Sequence, residues 1–335
     1  MKKFLVIQTA FIGDVIMSTP VFKGLKKIDK NANIDVLIAN QYKDILENNP
    51  YIGNIIVFNK KHVWNKIFNM IRLILKFRMT KYDLAISIQG SYTSSLLMKL
   101  GGIKYRIGAR RQKLLTHPVT FPKGLHIRER IGYLLREVEN LDFDLDTELF
   151  TSEVNKEKVD NLIEGHDHFK LGIAPGSIRE TKKWPSTYFI ELINKLPDTI
   201  DIYLIGGSDD SNLAKEILTK TTHKNINNYT GCLSLLESTE LISRMDLMLT
   251  NDSAPLHMAN AVNTPVFAFF GPTVKRFGCY PYREQDLILE VDLYCRPCGK
   301  HGEKKCPEGH FRCMREITPQ FVLDNINQFM EANGK

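Results

Sequence analysis

Short, continuous apolar runs alternate with helix-like stretches along this 335-residue chain, and the whole pattern occurs twice. In the first half, strands are expected at FLVIQT (4–9), IDVLIA (34–39), NIIVF (54–58) and DLAISI (83–88), with helices at 14–28, 61–78, 93–100 and 127–141. A charged, polar stretch follows, TSEVNKEKVDNLIEGHDH (151–168). The pattern then restarts with FKLGIAP (169–175), IDIYLIG (200–206), DLMLT (246–250) and PVFAFFG (265–271), and with helices near 186–196, 209–221, 234–244, 255–262 and 319–331. Apolar runs without polar alternation suit strands covered on both faces, as in parallel sheets flanked by helices. The expected class is therefore α/β, with two Rossmann-like doubly wound domains over 1–160 and 161–335. Length agrees, because it exceeds what one hydrophobic core usually serves. A crevice between two such domains, at the strand ends, is the expected ligand site.

Composition narrows the partners. With 43% hydrophobic residues and a net charge of +7, the chain is globular and mildly basic, which fits an anionic ligand or surface without requiring one. The start, MKKFLVIQTAFIGDVIMSTP, imitates an export signal, but Gln8, Gly13 and Asp14 interrupt its apolar run and no small-residue cleavage site follows. No stretch is long and apolar enough to predict a spanning helix. A cytoplasmic, reducing location is expected, and disulfides are not the default for the six cysteines.

The strand-end loops hold the candidate chemistry. Gly13 gives the first turn room, and Asp14 opens the next helix, where a carboxylate serves as an N-cap worth about 1 kcal/mol or, facing a crevice, as a base. The first loop of the second half, APGSIRETKKWPSTYF (174–189), carries Gly176, Ser177, Arg179, Lys182 and Lys183 ahead of Trp184-Pro185. A lysine there can neutralise a diphosphate or simply face solvent. In GGSDDSN (206–212), the glycines let backbone approach a ligand, and Asp209 or Asp210 can bond ribose hydroxyls or cap a helix. In TNDSAPLHMANAVNTPVFAFFGPT (250–273), free N–H groups at Ser253-Ala254 suit a pyrophosphate. Asp252 would repel such an anion but can accept sugar hydroxyls, while His257 reaches the same place and Thr273 closes the segment. The bland alternative has Asp252 capping the helix and His257 packed beneath it.

Two segments stand apart. Cys295, Cys298, Cys306 and Cys313 have the spacing C-x2-C-x7-C-x6-C, with His301 and His310 nearby. They read equally as a structural zinc site or as reduced thiols in a compact loop. Residues 61–78 place apolar side chains on about half of a helical wheel and Lys61, His62, Lys66, Arg72 and Lys76 on most of the rest. That is a helix on its own sheet with a basic solvent face, or a contact with an anionic inner membrane.

Together these stretches resemble the bacterial ADP-heptose:lipopolysaccharide heptosyltransferases, glycosyltransferase family 9 of GT-B fold. The likeness rests on IQTAFIGDVIMSTPVFKGLK, PGS…KKWP, LTNDSAPLHMANAVNTPVFAFFGPT and the tail CRPCGKHGEKKCPEGHFRCMREITPQFVLDNI, in that order. It implies two domains facing across a cleft, the N-terminal one for the acceptor and the C-terminal one for the nucleotide sugar, and transfer of a heptose from ADP-heptose to the lipopolysaccharide inner core with inversion. It also implies Asp14 as general base and Lys182 and Ser177 at the donor's phosphates or ribose. Asp252 falls to the heptose hydroxyls, Ser253, Ala254 and His257 to the pyrophosphate, and Leu233 to the adenine. No cofactor and no nucleic acid are expected. Ala254 stands where the family commonly has Gly, and would be strained if that position needs positive φ. Other readings are a family member with another nucleotide sugar, a related sugar-nucleotide epimerase, and a zinc-dependent nucleic-acid-binding protein. Against the last, no basic stripe interleaved with aromatics stands out.

Overall fold

The computed structural model of the chain describes residues 1–59, 63–163, 165 and 168–334, the side chains of 63–66 excepted. It contains two compact units, Met1–Phe150 and Thr151–Lys335.

The first unit runs β1 (Lys3–Gln8), α1 (Ile12–Met17), α2 (Pro20–Ile28), β2 (Asn33–Ala39), β3 (Asn54–Phe58), α3 (Val63–Thr80), β4 (Leu84–Ser87), α4 (Tyr92–Leu100), β5 (Tyr105–Ala109), β6 (His117–Val119) and α5 (Ile127–Arg136). Its six strands form one parallel sheet in the order β3-β2-β1-β4-β5-β6. Leu5, Ile7, Leu37, Ala85, Phe77 and Leu97 are the buried centre of one face.

The second unit runs α6 (Glu153–Ile163), β7 (Phe169–Ala174), α7 (Ser186–Lys195), β8 (Ile200–Leu204), α8 (Ser211–Lys220), β9 (Ile226–Asn228), α9 (Leu235–Ser243), β10 (Leu247–Asn251), α10 (Ala254–Ala261), β11 (Val266–Phe269), β12 (Leu287–Leu289), α11 (Arg312–Arg315) and α12 (Pro319–Ala332). Its parallel sheet has the order β12-β11-β10-β7-β8-β9. Counted from the first strand of each unit, the two orders are the same, 3-2-1-4-5-6. Each sheet thus has a switch point between its first and fourth strands, where open α/β sheets bind ligands. The anchor of the second core is Trp184, fully buried, stacked on Phe269 with centroids 4.5 Å apart and planes at 14°. Its indole N–H donates to the Ile317 carbonyl at 2.8 Å, so no buried donor is wasted.

The expected class is the observed one, and several elements differ from expectation for identifiable reasons. The helix expected over 14–28 is two helices. Pro20 has no N–H to offer the Ile16 carbonyl, and the Thr19 hydroxyl takes that acceptor instead at 2.9 Å. The polar stretch 151–168, expected as a boundary, contains α6, which buries Val159 alone among its residues; one buried position leaves little periodic signal. Four strands were not expected. β6, β9 and β12 are three residues long and all sit on sheet edges, where Pro118 of β6 is tolerated because the outer N–H side needs no partner. β5 (YRIGA) mixes Arg and Gly into its run. Of the expected helix 61–78, residues 61 and 62 and the side chains of 63–66 lie outside the described residues.

Candidate active site

At the switch point of the second sheet, β10 ends on Asn251, which is fully buried. Its side-chain amide donates to the carbonyls of Pro175 (2.8 Å) and Gly176 (3.2 Å), and its Oδ1 accepts the Trp184 N–H at 2.9 Å. One side chain therefore fixes both ends of the loop after β7. That loop ends in a 3-10 turn, Glu180–Lys182, which delivers Lys182 to the next residue of the β10 corner. The Lys182 ammonium donates to Asp252 Oδ2 at 2.6 Å and to the Asp252 carbonyl at 3.2 Å. The Thr273 hydroxyl donates to the same Oδ2 at 2.7 Å. With side chains 14% and 9% exposed, Lys182 and Asp252 form a largely desolvated pair, which is held only when its geometry and its remaining hydrogen bonds are satisfied. Both partners of Asp252 fall on Oδ2, so among the described residues Oδ1 is left to accept from a ligand hydroxyl.

The segment 296–303 braces both partners of Asp252. The buried Arg296 guanidinium donates to the carbonyls of Phe270 (2.8 Å), Gly271 (2.5 Å), Thr273 (3.0 Å) and Val291, and pairs with Glu290 at 2.7 Å. Cys298 N–H donates to the Pro272 carbonyl at 3.2 Å. These bonds fix the turn that carries Thr273. On the other side, the Thr181 hydroxyl donates to the Glu303 carbonyl at 2.8 Å and accepts its N–H at 2.7 Å. Gly302 has φ +73°, and a Cβ there would lie 3.1 Å from Lys182 Cγ and 3.2 Å from Thr181 Oγ1. Glycine is thus required both by the backbone and by the close approach to the lysine stem.

Next to Asp252, Ser253 is the N-cap of α10 and makes no side-chain cap, so neither residue caps the helix with its side chain. The capping alternative for Asp252 is overturned, because Lys182 and Thr273 hold its carboxylate. Ala254 is the first residue of α10 and is not among the positive-φ residues, so the expected strain is not present. His257 is buried on the same helix, as the packing alternative anticipates.

The loop after β7 also meets the loop after β8. A Cβ on Gly176 would sit 2.0 Å from Asp210 Oδ1, so any side chain there would displace the Asp210 carboxylate. The Asp210 carboxylate accepts the Gly207 N–H at 3.3 Å, and burial pushes its pKa above the ordinary carboxylate value. Of the two candidates in this loop, Asp209 is exposed and Asp210 is the one packed against Gly176. Ser177 and Leu233 are half-buried on either side of this region.

Of the two readings of the four cysteines, reduced thiols in a compact loop agree better with the structure: among the described residues no three His, Cys, Asp or Glu side chains converge as metal ligands. Cys313 is a core residue beside Met314 and Ile317, and burial pushes its thiol up to about 11. Cys298 donates to the Cys295 carbonyl at 3.5 Å, and burial raises its thiol as well. Cys295 faces His310 Nε2 at 3.9 Å, and His310 Nδ1 accepts the Arg312 N–H, which leaves the proton on Nε2.

The switch point of the first sheet lies at the turn after β1. The Gln8 side chain spans the turn, accepting the Ala10 N–H at 3.3 Å and donating to the Asp14 carbonyl at 3.2 Å. The N-cap of α1 is Phe11, and Asp14 stands half-buried in the first turn, not at the cap. Gly13 lies within α1 and not in a left-handed turn. A cavity of about 200 Å³ opens at the carboxyl ends of β1 to β3, with Thr9, Ser91, Thr93 and Ser94 offering hydroxyls over Phe58 and Leu97.

Sequence reasoning missed Asn251, Thr181, Arg296 and Glu303 as positioning residues. The only signal for Asn251 was a polar residue closing an apolar strand; the others act through backbone partners some 20–120 positions away.

The sequence profile of Glycosyltransferase family 9 (heptosyltransferase) matches residues 70–310. The lipooligosaccharide heptosyltransferase 2 of Campylobacter jejuni is 25% identical, with 98% of this chain and 99% of the relative covered. The lipopolysaccharide heptosyltransferase 3 of Escherichia coli is 30% identical over 86% of this chain and 88% of the relative. The structure of E. coli ADP-heptose lps heptosyltransferase II superposes with a TM-score of 0.81 at 25% identity and covers both chains fully.

Proposed function

The chain belongs to glycosyltransferase family 9, the heptosyltransferases, a GT-B enzyme family, and from that membership we propose that it transfers a heptose from ADP-heptose to the lipopolysaccharide inner core. The observation that carries the reading is the buried Lys182–Asp252–Thr273 cluster at the switch point of the second sheet. A sugar diphosphate needs this pairing of charges: a cation and helix N–H groups for the phosphates, and a carboxylate for the hydroxyls.

In this mechanism the second unit binds the donor and the first binds the acceptor. Asp252 Oδ1 accepts from the heptose hydroxyls while Oδ2 stays with Lys182 and Thr273. The Lys182 ammonium, Ser177 and the first-turn N–H groups at Ser253 and Ala254 face the diphosphate, with His257 behind them. Gly176 lets the loop backbone approach it. Asp209 or its neighbour Asp210 takes the ribose and Leu233 packs on the adenine. Asp14, beside Gly13, takes the proton from an acceptor hydroxyl. The hydroxyl oxygen attacks the anomeric carbon, the bond to the diphosphate oxygen breaks, and ADP leaves with the electron pair. Attack opposite the leaving group inverts the anomeric centre. Negative charge grows on the diphosphate during this step, so donors already fixed around it stabilise the transition state more than the ground state. The acceptor is lipid-anchored, so the reaction belongs at the cytoplasmic face of a membrane.

The test is a donor screen with purified protein and defined core acceptors, reading nucleotide release and the anomeric configuration of the product. ADP-heptose should turn over and give the inverted product. A different preferred nucleotide sugar, or retention, would overturn the donor or the mechanism, respectively.

A further inference from the structure

Helix α3 carries two apolar faces, and only one of them is used by the sheet. Leu73 and Phe77 are buried (1% and 0% exposed), with Met70 and Ile74 partly buried beside them. Ile67, Phe68, Ile71, Leu75 and Met79 face outward, from 47% exposed at Ile67 to 82% at Met79. At about 100° per residue, the buried set covers an arc of roughly 100° and the outward set the adjoining ~120°. Arg72 and Lys76, both exposed, border the outward set on its far side. Arg78 falls inside the outward arc, between Ile67 and Ile71 on the wheel, and its guanidinium is drawn aside by donation to the Leu100 carbonyl at 2.8 Å. The solvent side of α3 is therefore an apolar stripe with a basic margin, not the basic face that its composition suggests.

The charges decide what covers this stripe. From Lys60 to Tyr82 the chain has no acidic residue, while Lys60, Lys61, Lys66, Arg72, Lys76, Arg78 and Lys81 are basic. A second copy packed antiparallel on the stripe would set Arg72 and Lys76 along the same margin as their counterparts, which like-charge repulsion disfavours. An anionic bilayer offers both complements at once, acyl chains for the stripe and headgroups for the margin. Among the described residues no helix is long and apolar enough to cross a membrane, so the contact is interfacial. We propose that the outward stripe of α3, Phe68, Ile71, Leu75 and Met79 with Arg72 and Lys76, docks this enzyme on an anionic lipid surface. The proposal rests on the reading of a lipid-anchored acceptor and supplies the docking residues for it.

The experiment is co-sedimentation of the full chain with vesicles of phosphatidylcholine alone or with one quarter phosphatidylglycerol, in low and high salt. The wild type should bind the anionic vesicles, and weaken at least tenfold on neutral vesicles or in 0.5 M salt, roughly where screening shortens to a few ångströms. Phe68→Ser/Leu75→Ser and Arg72→Glu/Lys76→Glu should each lose binding at least tenfold. Thermal unfolding and turnover of a soluble, delipidated core acceptor should stay unchanged in both variants, because these side chains face solvent. Absence of wild-type binding, or full binding by both variants, overturns the proposal. So does a wild-type dimer in solution that the serine variant dissolves, since the stripe then belongs to a second copy. The vesicles contain no substrate and the soluble acceptor needs no membrane, so failure of docking and failure of heptosyl transfer are read separately.

Discussion

The two sheets have the same strand order and therefore one switch point each, but the two are furnished differently. In the first unit, the Gln8 side chain spans the turn and Asp14 stands half-buried on a six-residue helix. In the second, Asn251, Asp252 and Thr273 are all buried, and a separate segment, 296–303, braces Lys182 and Thr273 from two sides. The difference follows from what each proposed task demands. A base must meet an incoming hydroxyl and release its proton, so it belongs at a rim. A cation beside a carboxylate must be kept dry and fixed, because loss of geometry there leaves two desolvated charges uncompensated. The same fold thus hosts a half-buried carboxylate, proposed as the base, and a buried charge cluster.

The largest test of this contrast is at Asp14. Asp14→Asn should lower turnover about 10²–10⁴-fold, the usual worth of a positioned base. ADP affinity by calorimetry should stay within about twofold, because the donor is assigned to the other unit. A large loss of ADP affinity would break the division of labour.

The second concerns the charge cluster. Lys182→Met leaves Asp252 buried without its cation and should cost about 3–5 kcal/mol of stability, seen in thermal or denaturant unfolding. Asp252→Asn added to that variant should recover most of the stability and none of the ADP affinity. Recovery of both would mean that the lysine serves only the fold. A smaller effect is expected from Thr181→Val, which frees the Glu303 N–H and loosens the brace. It should cost about 1 kcal/mol and weaken ADP several-fold, with the Asp14-dependent step unmoved. The smallest effect is chemical. At pH 8, iodoacetamide should modify the exposed Cys232 roughly 100-fold faster than Cys313, whose thiol is raised by burial to about 11. Rapid reaction of Cys313 would show that the core around α11 opens under native conditions.

The repeated apolar runs were enough to read both sheets, because strands buried on two faces need unbroken apolar sequence. Their short edge strands were not legible, since three residues at a sheet edge bury too little to impose a pattern. At the site, Lys182, Asp252 and Thr273 were each visible as polar residues at strand ends. That they form one unit was not visible, and neither was the packing of Asp210, rather than Asp209, against Gly176. On α3, the sequence wheel showed one broad apolar half, and only packing revealed that the sheet covers part of it.

By itself, then, the sequence determined what local periodicity and residue type can encode: two doubly wound halves, their strand-end loops and the family they belong to. Tertiary structure decided what depends on residues distant in the chain. It joined Lys182 to Asp252, set Arg296 and Glu303 behind them, buried Cys313 and turned Phe68 and Leu75 outward. The physical reason is range. Hydrophobic periodicity is written into neighbouring residues, whereas desolvation and hydrogen-bond satisfaction are properties of a place in space that several remote segments create together.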